Sequence, residues 1–524
     1  MQRLYRRNFM MWLNLFSPLS FFVCSAVVAA IVYFIFHSLM HTEQAIGCTA
    51  TGKLSRRLGF IERYFLTVST DTNVCYINTV LFLNSNVKLD PDHVRKALFM
   101  LLQRFPSLRM RVTVDKFKQP CFEEMEDPQI FDFRSIDDLN SDDWLYAFEK
   151  QINGAPFTTL RGPLWRVALL AETCESSGEE NLYRNTLLFT FHHLIADALS
   201  VFELKKKLIE YLGVLYKGEA IDVKSLPFRC PIEEAIKNFT RFNVFLRFMI
   251  VMVLTIRKLR VKMFSKSKPD NLYLSTFPPA QSHSVARTTC AVPRNLSREQ
   301  TMAVISCSKR NKCTVHGAIT AATHLAMAQI LQHNCACDSR IQSPLSITST
   351  YTVNIRKECQ PKIESEEFAL YASMDSLAIV VNAFPVEEVE SFWEFARSCT
   401  NQVHDRIDAG KHQEMIKLFQ CVDIPSFWAQ SCYEVERGLQ PEIFNLTNLG
   451  ALSIDEEGKS PYKFAGSYFA VQTAQICNIF SHGIFTINGR LYWTGEYSPE
   501  ITTRSQAEEF VDLSLRILMG ACTS

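Results

Sequence analysis

Two adjacent histidines, His192 and His193, are followed four residues after the second by Asp197 in the stretch TLLFTFHHLIADALSVFEL, residues 186–204. A neutral imidazole with an ordinary pKa near ~6.5 suits removal of a proton from an attacking hydroxyl or amine. An Asp at that spacing can fix the ring or the loop backbone through a salt bridge or hydrogen bond. The chain contains no GxSxG, and no Ser or Cys nucleophile is evident. That favours direct transfer to an acceptor over a covalent intermediate on the protein.

Such groups need a frame that holds them at the mouth of a site. Thr186–Phe191 is β-rich, and Leu199, Phe202, Leu208, Ile209 and Leu212 form one apolar face of a helix from about Ala198 to Leu212. The histidines are therefore expected at a strand end, where catalytic groups of α/β folds commonly emerge. Val74–Leu83, Leu108–Val114 and Leu164–Ala171 are further strands of the same half. Between the first two, Asp90-Pro91-Asp92 opens a helix carrying Val94, Leu98, Leu101, Leu102 and Phe105, and Pro106 ends it. A second half begins near Leu272. Ser297 with Gln300 reads as a capping box, and Thr314 caps a helix to about Gln332. Leu345–Val353, Leu377–Phe384 and Ile443–Leu446 are strand-like. Asn488-Gly489 joins Gly483–Ile487 to Leu491–Glu496 as a hairpin, and a helix from about Ser505 to Leu518 closes the chain. The pattern is mixed α/β with two comparable halves and no short repeat.

The 524 residues include 55 Lys+Arg against 54 Asp+Glu, with 47% hydrophobic and 21% charged residues. That excludes intrinsic disorder, a collagen-like fibre and a disulfide-stapled miniprotein. A net charge of +1 gives no global attraction to nucleic acid. The 17 Cys are odd in number and scattered, and Cys335-Ala-Cys337 has no nearby ligands for zinc. No metal is expected, and most cysteines read as small buried apolar residues. The 39 Phe fit large cores or an apolar ligand.

Two stretches suggest a membrane. Leu19–Met40 (LSFFVCSAVVAAIVYFIFHSLM) is long enough to span a bilayer core, which needs ~20 apolar residues. An uncleaved anchor is expected there, with orientation open because Arg3, Arg6 and Arg7 balance Lys53, Arg56 and Arg57. Phe242–Ile256 is apolar except for Arg247 and is followed by Arg257, Lys258, Arg260, Lys262, Lys266 and Lys268. A helix lying in a membrane interface fits this stretch, and so does a buried helix with a solvated tail.

From the HHLIAD element outward, the sequence resembles the CoA-dependent acyltransferase superfamily, which includes condensation domains, alcohol acetyltransferases and wax ester synthases. The family's HHxxxDG matches His192 to Asp197, with Ala198 where Gly is usual. RFPSLRMRV (Arg104–Val112), GPLWRVALL (Gly162–Leu170), TVHGAITAA (Thr314–Ala322), VNIR (Val353–Arg356) and NLTNLG (Asn445–Gly450) resemble family segments in the same order. The resemblance implies two chloramphenicol-acetyltransferase-like halves around a central tunnel, at 54–225 and 270–524. Residues 1–53 carry the anchor, and 226–269 form a linker containing the apolar and basic helix.

The resemblance further implies His193 as general base, His192 as a support of the loop, and Asp197 as a structural residue paired with Arg356. The Asn448–Gly450 turn would line the site. The reaction implied is acyl transfer from acyl-CoA, a co-substrate rather than a resident cofactor, to a hydroxyl, a lipid-like alcohol being favoured and an amine acceptor remaining open. Two rivals stand. His192 and Asp197 also satisfy the H-x4-D spacing of glycerolipid acyltransferases, although the companion EGTR-like element is absent. Ala198 instead of Gly allows a catalytically degenerate member that binds a lipid or partner. The expected location is a single-pass endomembrane protein, such as one of the endoplasmic reticulum, with a cytosolic catalytic region. Of the sequons at Asn238, Asn295 and Asn445, the last falls beside the expected site, where a glycan would obstruct.

Overall fold

The computed structural model describes residues 47–48, 53–127, 131–177, 180–237, 239, 242–264, 288–334, 344–382, 389–436, 442–455, 460–472 and 478–523. The helices that matter for the site are α1 (Phe60–Thr72), α2 (Ala198–Tyr216), α3 (Val244–Phe264), α4 (Val315–Asn334), α5 (Glu414–Phe419) and α6 (Ile424–Glu436). The strands of the two large sheets are β1 (Tyr76–Ser85), β2 (Asp132–Asn140), β3 (Trp165–Ala171), β4 (Glu180–His192), β5 (Cys290–Asn295), β6 (Leu345–Asn354), β7 (Ala372–Val381), β8 (Glu442–Leu452), β9 (Lys463–Val471), β10 (Phe480–Ile487) and β11 (Arg490–Tyr497).

The first sheet runs β9-β1-β4-β3-β2, with β2 and β3 parallel and the other pairs antiparallel, and a sixth short strand, Thr173–Ser177, pairs antiparallel with the start of β4 off this path. The second runs β5-β11-β10-β8-β6-β7, with β8 parallel to both its neighbours. A small four-stranded sheet, which includes Leu54–Arg57 and Pro120–Glu124, sits apart from both. The α/β class expected from the sequence is thus found. β1 and β4 pair along ten residues, from Tyr76↔His192 to Ser85↔Tyr183, and their inner positions are fully buried. α2 buries Val201, Phe202, Leu204, Leu208 and Leu212 against this sheet. Leu199, also expected on its core face, lines the site cavity instead.

Several local signals hold. Asp90 caps Pro91–Arg104 by accepting from Asp92 N, and Ser297 and Gln300 form a reciprocal capping box. Asn488 (φ +49°) and Gly489 (φ +77°) make the tight β10–β11 hairpin. Other boundaries move. β7 starts at Ala372 rather than Leu377 because it pairs along the whole of β6, from Asn354↔Ala372 to Leu345↔Val381. β9 was not anticipated. It comes from late in the chain, yet it pairs with β1 as the edge of the first sheet, Lys463↔Asn84 to Val471↔Ile77.

The single-pass endomembrane location expected above is corrected. Among the described residues no helix is long and apolar enough to cross a membrane. The most apolar candidate, α3, is interrupted by Arg247 and ends in Arg257, Lys258, Arg260 and Lys262. The Leu19–Met40 segment lies outside the described residues, as do Asn238, Lys266, Lys268 and the Cys335-Ala-Cys337 pair.

Candidate active site

β4 delivers the two histidines to different places because successive residues of a strand point to opposite faces. His192 N donates to Leu164 O (2.9 Å) and His193 N to Cys75 O (3.1 Å), which fixes the strand end on two sides. The His192 side chain is fully buried. Its Nδ1 accepts from Leu194 N (3.2 Å), so the ring proton sits on Nε2, which contacts Ser69 Oγ at 2.9 Å. Burial, with His193 alongside, pushes its pKa down to about 3. Both ring nitrogens are engaged.

His193 instead lines a cavity of about 1020 Å³ between the two large sheets. Its ring stacks on Phe65 of α1, centroids 4.3 Å apart and 6° between planes. Burial lowers its pKa, partly offset by backbone groups at His193 and Ala196 and by the Asp197 charge. The imidazole is therefore neutral at pH 7, the form that accepts a proton.

The Asp197 carboxylate is occupied by other partners. Asp197 is the N-cap of α2, with Oδ1 accepting from Ser200 N at 2.8 Å. Arg356 reaches from the end of β6 and binds both carboxylate oxygens, at 2.8 and 2.9 Å. Tyr371 N donates to Oδ2 at 2.9 Å. Burial raises the Asp197 pKa, but Arg356 and the backbone donors outweigh it and hold the carboxyl below its usual range. Arg356 also donates to Ser200 Oγ (2.8 Å), which donates to Ala369 O (2.7 Å). This ion pair ties the start of α2 to the loop after β6, across the junction of the two sheets. A carboxylate with four charge-assisted or backbone donors is a positioning group.

Ala198 is the first residue of α2, with ordinary right-handed helical backbone, and its methyl lines the cavity. No backbone strain accompanies the departure from Gly at this position.

On the opposite wall, Asn448 faces the cavity from β8 while its Oδ1 accepts from Gly450 N at 2.9 Å. Gly450, at φ +77°, lets the strand bulge between Asn448 and Ala451 and does not itself line the space. Asn445 also lines the cavity, so a glycan there is incompatible with this fold.

The sequence reading missed α1, which supplies Phe65 beneath His193 and Ser69 beside His192. It missed Cys75 too, a cavity residue in a left-handed conformation (φ +69°) whose carbonyl receives His193 N–H. The cavity wall is of two kinds. Thr350, Thr352, Asn354, Ser376, Asn445 and Thr447 make the strand side polar. On the helix side Ile250, Val251, Leu254, Leu418, Val422 and Phe427 form an apolar stretch, bordered by Thr255, Arg257, Lys258, Gln430 and Glu434. Among the described residues no group of three His, Cys, Asp or Glu is placed to hold a metal.

Comparison with solved structures shows the same fold at low identity. The trichothecene 15-O-acetyltransferase of Fusarium sporotrichioides is 12% identical with a TM-score of 0.64, over 91% of this chain and 98% of that one. The epimerization domain from the third module of tyrocidine synthetase B is 15% identical with a TM-score of 0.57, over 92% and 98%. The first condensation domain of the calcium-dependent antibiotic synthetase is 13% identical with a TM-score of 0.56, over 89% and 96%. No curated protein sequence matches the chain. A sequence model of alcohol acetyltransferases does match it, over residues 117–513, a span that takes in the histidines, Asp197, Arg356 and Asn448. This chain belongs to the alcohol acetyltransferase family.

Proposed function

We propose that the protein moves an acyl group from an acyl-CoA thioester to the hydroxyl of an apolar, lipid-like alcohol, with His193 as general base. The observation that carries this reading is the His193 ring at the cavity wall, stacked on Phe65, with Asp197 committed to Arg356. His193 takes the hydroxyl proton as the oxygen attacks the thioester carbonyl. The C–S bond then breaks, and the imidazolium returns its proton to the departing thiolate of CoA. Asn448 Nδ2 is the side-chain donor on the facing wall suited to the tetrahedral oxyanion. The H-x4-D alternative would need His192 as base, and the engagement of both its nitrogens away from the cavity argues against that.

The test is thiol release by the purified full-length protein with pairs of acyl-CoA and acceptor, alcohols beside amines of the same skeleton. His193→Ala is expected to lower kcat by roughly 10²–10⁴-fold, as for loss of a general base. His192→Ala is expected to cost less in kcat and more in thermal stability. Near wild-type turnover by His193→Ala removes the base assignment. Preference for amines over matched alcohols removes the O-acyl reading.

A further inference from the structure

The apolar side of the cavity is built by helix α3, the insertion that joins the two sheet-bearing parts of the chain. α3 is apolar around most of its circumference. Ile250, Val251 and Leu254 face the cavity, whereas Phe245, Val253 and Ile256 on the other side are exposed. Two polar links seat the helix on the α5–α6 corner: Arg247 Nη2 to Gln420 O at 3.0 Å, and Arg257 to Glu434 at 2.7 Å. Leu418, Val422 and Phe427 of that corner face the same space. The apolar surface is continuous with the catalytic ring through α1. Phe65 stacks on His193, and its neighbour Tyr64 stacks on Phe419 at 4.8 Å.

A space of about 1020 Å³ lies at the top of the range of ~300–1,000 Å³ typical of small-molecule sites. Hydrogen-bonding side chains cover much of the strand side, and the largest apolar stretch of the wall is the one that Ile250, Val251 and Leu254 make with Leu418, Val422 and Phe427, bordered by Thr255, Arg257, Lys258 and Glu434.

We infer that α3, α5 and α6 enclose a compartment for an extended alkyl chain, and that Leu254 on α3 sets the chain length accepted. The inference rests on the acyltransferase reading above and adds where the chain lies and what limits it. The alkyl chain belongs to the acyl donor or to the alcohol, and the two sources separate experimentally. One series lengthens the acyl-CoA at a fixed short alcohol; the other lengthens a primary alcohol at fixed acetyl-CoA. In one of them kcat/KM is expected to rise about fourfold per methylene until the compartment fills.

Leu254→Trp is expected to abolish that rise, giving a flat series. Val251→Trp serves if that variant does not fold. Ile256→Trp, on the exposed face of the same helix, is expected to keep the wild-type series. Binding of a fluorescent twelve-carbon alcohol gives a readout independent of turnover, and Leu254→Trp is expected to weaken it at least tenfold relative to Ile256→Trp. Flat series in both arms, or equal behaviour of the inner- and outer-face variants, overturns the compartment. Absence of turnover with every pair, combined with tight probe binding sensitive to Leu254→Trp, overturns the acyltransferase reading and leaves the compartment standing.

Discussion

His192 and His193 are chemically identical and adjacent, yet the fold gives them different surroundings. One is locked between Ser69 and the Leu194 amide, and the other faces the cavity. The lowered pKa of His193 has a kinetic consequence. The acidic limb of kcat/KM, which reports the essential base of the free enzyme, is expected below pH 6.5. A profile from pH 5 to 8 with the best substrate pair measures it, and a limb at or above pH 7 contradicts the burial argument. At this scale the sequence was informative. The histidines, Asp197 and the following helix are contiguous, so their geometry follows from local strand and helix preferences. The pairing of Arg356 with Asp197 spans 159 residues and came only from family resemblance.

At the scale of elements, the start of α2 is held by an ion pair from another part of the chain. Both partners are buried, with side chains 4% and 6% exposed. Asp197→Asn keeps an N-cap acceptor but leaves Arg356 charged and uncompensated, so a loss of about 3–5 kcal/mol is expected. Urea unfolding of the variant measures this, together with reduced turnover as the His193 loop shifts. A loss below about 1 kcal/mol would show that the pair contributes nothing beyond the cap. α1 shows why other elements escaped the sequence. Its N-cap is Gly59, which offers no side-chain signal, and its Glu62 is a buried carboxylate bound by Arg56 rather than a surface charge. The amphipathic pattern is blurred where the helix is covered on two sides, by the site and by α5 and α6. β9 was hidden for a related reason: its central residues are buried, so no polar alternation marks the strand, and Gly466 interrupts the β-rich run.

At the scale of the whole molecule, among the described residues, desolvation keeps four histidines besides His193 neutral: His192 and His482 near a pKa of about 3, and the half-buried His316 and the buried His324 near about 4. Burial is the leading cause in each. Their folded pKa values lie below the unfolded value of 6.5, so above pH 6.5 both states are neutral and the full stability is present. As pH falls below 6.5, the unfolded chain binds protons that the folded chain refuses, and stability declines until the folded pKa values are reached. Each group contributes a slope of up to about 1.4 kcal/mol per pH unit. The carboxyl of Asp197 adds its own loss only further down, below its unfolded pKa near 3.8. Buried Glu233, pushed up to about 7, and Glu496, raised well above the ordinary carboxyl value, take up protons in the folded state over the same range and oppose this loss. The urea midpoint is expected to fall between pH 6.5 and 4.5 by less than the histidines alone would give, and a midpoint that rises over that interval contradicts the assignment.

The pairing of β9 with β1 makes the molecule a strand donor to itself. A first piece ending near residue 270 has the β1 edge open over its whole length, and such an edge recruits other chains. Expressed alone, residues 1–270 are expected to aggregate. Expressed together with residues 271–524, they are expected to be rescued and to purify as a complex, because the second piece carries the missing strand. Deleting 463–471 from the second piece should end the rescue. A gene split at this junction then behaves as a two-component switch, silent until both products share a compartment, with β9 as the plug that completes the first piece.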